Sequence, residues 1–289
     1  MKLATRVFLS ELLTKDFPSF SKELIRILQG QDVSVSFLVG TNDVWCRDFM
    51  PVQVGDGFVQ FSLTRDYYYK KDRHKITNSA PICKALDIDP IIPIYKSIPI
   101  FLDGGNVILS PSRTKAIITD KVFKDNRNIP RDDLANILQE VLRVEQIIFI
   151  PVETGDDTGH ADGMVRFVDE RTVVANDYSK VDVSQSFRDR FYGALKDSSL
   201  DVFLVPYHPV SVKTEGYWSA AGCYINFLKV GEKVFLPTFS DPVNDKAAIK
   251  RFGEVFGTAN VIPVPSLEIS RGGGVLNCLS WVINANFDV

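Results

Sequence analysis

The chain has 289 residues, 45% hydrophobic and 24% charged, enough apolar content to build a large core, which excludes a disordered chain. Its net charge is -3 with lysine and arginine scattered along the sequence, which excludes a broad phosphate-binding surface, so no nucleic-acid partner is expected. Residues 1–10 carry one lysine and one arginine without the apolar stretch of a signal peptide, and no later segment approaches a membrane span. No membrane partner is expected, and the protein reads as cytoplasmic.

In chain order, Phe20, Leu24, Ile27 and Leu28 recur at helical spacing up to Gly30, read as a C-cap, and Val33, Val35, Phe37 and Val39 then alternate as a strand does. A hairpin-like run over 58–63 precedes a weaker helix at 79–86 and a strand at 91–95. Runs 107–110 and 116–119 come before Leu134, Ile137, Leu138, Val141 and Leu142, a helix entered through Pro130, and then the apolar strand 146–150. The order returns as 164–168, 172–176, the helix 187–196 and the strand 201–205. It returns again as 224–228, 233–236, the helix 244–256 stopped by Gly257, and the strand 260–264. The unit is strand, strand, helix, strand, recurring about every 55 to 60 residues, so five structural repeats are predicted in one α/β domain over residues 1–289. Five such units closing into a ring, as a propeller does, leave no sheet edge exposed and gather equivalent loops around one axis.

Polar signatures return to one phase of that repeat, the loop after the strand that follows the helix: residues 42–48, 103–106, 153–162 and 266–278. A central site built from several units requires that coincidence, and scattered surface charge does not produce it. Gly104, Gly105 and 272–274 permit close backbone approach beside the polar residues, although glycine-rich turns are often only turns. Of the three histidines, His74 lies in a charged run and reads as a solvated loop residue, and His208 between prolines reads as structural. His160 sits two residues before Asp162, so an extended segment would point both the same way. The cysteines, Cys46, Cys83, Cys223 and Cys278, lack zinc-like spacing and read as free thiols, the first three structural. A cysteine after a glycine run is in general a small core residue more often than a nucleophile.

Four linked motifs change that weighting for Cys278. Trp45-Cys46-Arg47-Asp48, Asp103-Gly104-Gly105-Asn106, Thr158-Gly159-His160-Ala161-Asp162 and Gly272-Gly273-Gly274 followed by Cys278 stand in the order seen in agmatine deiminases and bacterial-type peptidyl-arginine deiminases. Residues 223–227 and 241–245 are also similar to that family, and the resemblance runs from about the first helix to the C-terminus. It implies a five-bladed pseudo-symmetric α/β propeller that modifies guanidinium groups. It further implies Cys278 as nucleophile, His160 as acid and base, and Asp48 and Asp162 as the carboxylates that bind the guanidinium. Asp103 falls where the family commonly has glutamate. The chain departs from agmatine deiminases at Val275, Leu276 and Asn277, where Asn, Ile and His are usual, and in a short N-terminal segment that normally supplies a glutamate and a tryptophan beside the substrate tail.

The chemistry needs these residue types. A guanidinium carbon is a poor electrophile in a planar cation that stays charged up to a pKa above about 12. Two carboxylates can hold that fork before a sulfur, a thiolate can add to the carbon, and a histidine can protonate departing ammonia and then activate water. Trp45 and Gly273 are expected to line the substrate, Trp45 equally as a core ring. The run from Tyr67 to Lys71 reads as a solvated loop or a rim. No metal and no cofactor is expected, because His160, Asp162 and Cys278 form no compact ligand pair. Agmatine is the best single substrate, with peptidyl or free arginine, amidino transfer to an amine, and non-catalytic binding of an arginine-like ligand as alternatives.

Overall fold

The computed structural model describes residues 5–63, 70–214 and 216–284. Four three-stranded sheets share one topology, an antiparallel pair followed by a parallel pair. In the third unit, Ile108–Leu109 pairs antiparallel with Lys115–Thr119, which pairs in parallel with Gln146–Ile150 after the helix Arg131–Leu142. The fourth unit repeats this with Val165–Phe167, Thr172–Asn176, the helix Gln185–Asp197 and Asp201–Val205. The fifth does so with Leu228–Val230, Lys233–Thr238, the helix Pro242–Phe256 and Val261–Pro265. Each helix sits where the geometry demands, because two parallel strands can be joined only by a long crossover, whereas the antiparallel pair needs a short turn.

The second unit is a reduced copy. Its hairpin is Val52–Val54 with Gly57–Val59, earlier than the run at 58–63 suggests, because Gly55, at φ +58, opens a two-residue turn before Gly57. The third strand is represented by parallel bridges of Val59 to Ile91 and Ser62 to Phe101, and the helix is Ala80–Ala85. The first unit joins both ends of the described chain. Trp281–Ile283 pairs antiparallel with Arg6–Ser10, which runs parallel to Ser34–Leu38 across the helix Pro18–Gln29. Neither Arg6–Ser10 nor Trp281–Ile283 is marked by the periodicity of the sequence, since each is short and nearly all buried, without alternation.

One further expectation needs correction. The predicted strand at 224–228 begins only at Leu228; residues before it form a bend fixed by the amide of Cys223 on the Ala220 carbonyl and that of Asn226 on the Cys223 carbonyl. Gly30 caps its helix as expected, at φ -65, and the left-handed residue that turns the chain is Asp32 at φ 57.

The core runs within units and across the boundaries between them. Phe8, Leu38, Phe58 and Ile82 pack the first unit on the second, Val59, Phe61, Ile118 and Leu138 the second on the third, and Ile117, Ile150, Val173 and Phe191 the third on the fourth. The largest cluster joins the fifth unit to the fourth and to the first, through Val205, Phe227, Phe252, Leu24 and Val7. Three helices reach the preceding unit as well as their own: Gln185–Asp197 packs on Gln146–Ile150, Pro242–Phe256 on Asp201–Val205, and Pro18–Gln29 on Val261–Pro265. Arg251 secures one of these contacts, donating to the Leu204 carbonyl at 2.9 Å with its guanidinium 3.5 Å from the centroid of the Phe203 ring. No helix among the described residues is long and apolar enough to cross a membrane.

Candidate active site

Loops in the predicted phase of the repeat surround one cavity of about 1080 Å³. Trp45, Asp48, His160, Asp162, Gly273 and Cys278 line it. Asp48 comes from the short helix Cys46–Phe49 and Cys278 from Leu276–Leu279, two one-turn helices packed on each other. His160 has extended backbone, but the segment turns at once into the single turn Ala161–Gly163, so His160 and Asp162 are brought to one side by a tight turn and not by a strand.

Asp103 is the one predicted residue that does not line the cavity. It stands behind His160, with Oδ2 3.0 Å from Nε2, while Asp48 Oδ1 lies 3.5 Å from Nδ1 on the other side of the ring. Both ring nitrogens therefore face carboxylates. Burial pushes the histidine pKa down, but Asp48, Asp103 and Asp162 outweigh it and hold the imidazolium well above the ordinary histidine range. Burial raises Asp48, against the pull of His160 and with the repulsion of Asp103 and Asp162.

Gly105 explains how the two groups come so close. Its N–H donates to Asp48 Oδ1 at 3.3 Å, and a Cβ there would lie 2.7 Å from both Asp48 Oδ1 and His160 Nδ1. Asn106 ties the surrounding loops, its Oδ1 accepting from the amides of Thr119 at 2.9 Å and Ala161 at 3.2 Å.

The thiol side is equally constrained. Cys278 Sγ lies 3.6 Å from Asp162 Oδ2, and Asn277 Nδ2 donates to that same oxygen at 2.6 Å. Asn226 anchors the turn, accepting the Cys278 amide on Oδ1 at 3.3 Å and the Asn277 amide on its carbonyl at 3.1 Å. Burial, then Asp162 and Asp48, raise the thiol well above its ordinary value. Trp45 covers the glycine run: a Cβ on Gly274 would come within 2.7 Å of its ring and 3.0 Å of Cys278 Cβ, so only glycine admits the indole there.

Some neighbours escape a reading of the sequence. Asn277 stands out only as a departure from a family pattern, yet it is 3% exposed and bonded to the central carboxylate. Arg166 lies on the strand Val165–Phe167, its guanidinium 4.6 Å from the Phe227 ring centroid and donating to the Phe227 carbonyl, with burial lowering it to about 10 against the field of Asp162. Nothing in its sequence neighbourhood separates it from a surface arginine. The fourth unit's loop also reaches the cavity, through Tyr207, His208 and Asn226; the repeat phase points to it, but it lacks a charged motif. Cys223 lines the cavity as well and donates to the Gly163 carbonyl at 3.5 Å, whereas Cys46 and Cys83 are buried in the core. His74 is exposed, as expected, and residues 64–69, which include Tyr67, Tyr68 and Tyr69, lie outside the described residues. Among the described residues no three histidine, cysteine, aspartate or glutamate side chains are grouped as a metal site.

The sequence is 28% identical over 214 residues to the agmatine deiminase of Stutzerimonas stutzeri, a match covering 64% of this chain and 58% of that protein. The chain thus spans little more than half the length of that curated relative. Among solved structures it resembles a C. jejuni agmatine deiminase variant with substrate bound, at TM-score 0.76 and 17% identity over 97% of this chain and 94% of that one. It also resembles the agmatine deiminase of Enterococcus faecalis, at TM-score 0.73 and 16% identity over 98% and 94% of the two chains. These likenesses show the α/β fold. The model of Porphyromonas-type peptidyl-arginine deiminases matches residues 12–283, nearly the whole of the repeat and every residue of the cavity named above, and the chain belongs to that family.

Proposed function

We propose that the protein is a cytoplasmic deiminase that hydrolyses the guanidinium group of a small guanidino compound to a ureido product and ammonia, without a cofactor. We read it as one domain whose five units close as a five-bladed propeller around the site. The packing of three helices on neighbouring units, and the first sheet made from both ends of the described residues, support that closure. One observation carries the function: a thiol, two carboxylates and an imidazole held between carboxylates face the same cavity.

In the free protein burial, together with the two carboxylates, keeps the proton on Cys278. A guanidinium held by Asp48 and Asp162 compensates their charge and places its own beside the sulfur, so the thiol proton leaves to solvent as substrate binds. The thiolate adds to the central carbon, forming a C–S bond. The His160 imidazolium gives its proton to one amino group, the C–N bond breaks, and ammonia departs from a thiouronium on Cys278. Neutral His160 then takes a proton from water as its oxygen adds to the carbon. The C–S bond breaks to restore the thiolate, and the proton released from the new carbonyl oxygen balances the one that ammonia takes up in water. Asp103 stabilises the imidazolium from behind.

Among substrates agmatine ranks first, by likeness to the named agmatine deiminases. The family's description favours peptidyl arginine, and a cavity of about 1080 Å³ leaves room for it. Comparing kcat/KM for agmatine, arginine and an arginine-containing peptide ranks them. Strict dependence on an added amine would instead indicate amidino transfer. Cys278→Ser should lose about 10⁴-fold or more in kcat, and a rapidly quenched wild-type reaction should show Cys278 carrying the thiouronium mass. Full activity in the serine variant would remove the mechanism.

A further inference from the structure

The covalent steps give no part to Arg166, although it stands among the groups that surround the thiol. It is half-buried and does not line the cavity, so it does not touch a substrate bound there. Its strand, Val165–Phe167, follows directly on the turn Ala161–Gly163 that presents Asp162. The side chain crosses to the next unit, where Nη1 donates to the Phe227 carbonyl at 2.9 Å and the guanidinium lies 4.6 Å from the Phe227 ring centroid. Phe227 is wholly buried, its ring edge-on to Phe252 and Phe256 at 5.4 and 5.6 Å, so this attachment is made to packed core.

The attachment leads to the sulfur in two steps. Asn226, one residue before Phe227, accepts the Cys278 amide on Oδ1 at 3.3 Å and the Asn277 amide on its carbonyl at 3.1 Å. Asn277 in turn donates to Asp162 Oδ2 at 2.6 Å, which closes a ring of contacts from the Asp162 turn through Arg166, the 226–227 bend and the Cys278 turn back to Asp162. The guanidinium also brings charge. Burial lowers Arg166, Asp162 opposes that, Arg47 adds to it, and a thiolate on Cys278 opposes it. Such an interaction is mutual, so Arg166 favours charge on the sulfur, where Asp162 and Asp48 oppose it. Arg47 is the other cation within reach of the sulfur, and its Nε lies 3.4 Å from the Asn277 carbonyl.

We propose that Arg166 is a positioning residue for the nucleophile: acting through Asn226, it fixes the Cys278 turn against the strand behind Asp162 and keeps a cation beside the pair. The proposal rests on the deiminase reading above, and gives Arg166 no contact with substrate and no proton to transfer, as suits a guanidinium that stays charged.

The test has one arm with turnover and one without. With the best of agmatine, arginine and an arginine-containing peptide as substrate, Arg166→Met should lower kcat by about tenfold or more and leave KM within about threefold. Without substrate, alkylation of Cys278 by iodoacetamide at fixed pH, located by mass spectrometry, should be about fivefold or more slower in Arg166→Met, because less thiolate is present. Arg166→Lys, which restores the cation, should stay within about threefold of the wild type in alkylation. Asn226→Ala should lower kcat as well, and the double variant Arg166→Met with Asn226→Ala should fall no more than about threefold below the worse single one, since both losses pass through the same turn. Losses that multiply would separate Arg166 from Asn226 and overturn the proposal. A loss confined to KM, or unchanged kcat and alkylation in Arg166→Met, would do the same. Arg166→Gln carries the same expectations if the methionine variant does not fold. Ammonia from none of the three substrates with the wild type would remove the deiminase reading and this inference with it, whereas normal wild-type turnover alongside an unaffected Arg166→Met would remove this inference alone.

Discussion

Asn277 and Asp162 share the shortest contact of the thiol side, 2.6 Å between two side chains that are each almost wholly buried. Because the amide fixes the oxygen that also faces Cys278, Asn277→Ala should lower kcat/KM by about tenfold or more and stability by ~1–3 kcal/mol, the cost of leaving a buried charged acceptor short of a donor. Asn277→Asp should be worse on both counts, since it sets two carboxylates side by side; equal activity of both variants with the wild type would refute a positioning role. A second expectation concerns pH. His160 is held above the ordinary histidine range, so the folded protein keeps a proton that the unfolded chain has lost. The stability it contributes is fully present below the ordinary histidine value and is lost as pH rises through the raised one. Asp103→Asn removes one supporting charge, so the alkaline limb of kcat/KM should move to lower pH while the protein stays folded by circular dichroism. His160, Asp48 and Asp162 are legible in the sequence because they sit in motifs. Arg166 is not, because its importance comes from Phe227, about 60 residues away, and the family-like segment 223–227 marks Asn226 without revealing that it anchors Cys278, about 50 residues on.

At the scale of elements, the site depends on backbone that approaches side chains closely. Gly105→Ala would drive a methyl group between Asp48 and His160, each 2.7 Å from the added carbon, so the pair must separate. The expected result is a loss of most activity at a stability cost of ~1–3 kcal/mol, typical of overpacking. A control separates stability from chemistry. Ser184 accepts the Phe187 amide at 3.1 Å and caps the helix Gln185–Asp197 without itself lining the cavity, so Ser184→Ala should cost ~1 kcal/mol and leave kcat/KM unchanged. Helices such as Arg131–Leu142 are read well from sequence because Leu134, Leu138 and Leu142 all face the core at one spacing. Short strands are not. The apolar residues before Leu228 suggest an earlier strand start, but the turn there serves Asn226 and the anchoring of Cys278, and hydrogen bonding outweighs the pattern.

The repeated order of strand, strand, helix, strand is visible along the chain, but the pairing of the two strands near opposite ends of the described residues is not, because neither carries an alternating pattern. Trp281–Ile283 completes the sheet of Arg6–Ser10, and Cys278 stands three residues ahead of that strand. Trp281 secures the junction. It is 2% exposed, donates from Nε1 to the Pro51 carbonyl at 2.7 Å, and packs against Phe8 and Phe58 with ring centroids 5.2 and 5.7 Å away. Those contacts belong to the first and second units, so a single side chain joins the last strand to two units and to the turn that carries the thiol. Trp281→Phe keeps most of the ring but leaves the Pro51 carbonyl without its donor, at a cost of ~1–3 kcal/mol. Trp281→Ala also empties the aromatic contact, and core tryptophan truncations cost ~3–5 kcal/mol. If the closing strand holds the units together as one cooperative structure, both variants should lower the midpoint of thermal inactivation and that of far-UV circular dichroism by equal amounts, alanine more than phenylalanine. Inactivation well below the loss of secondary structure would instead show the first sheet opening alone, with the thiol turn released from units that remain folded.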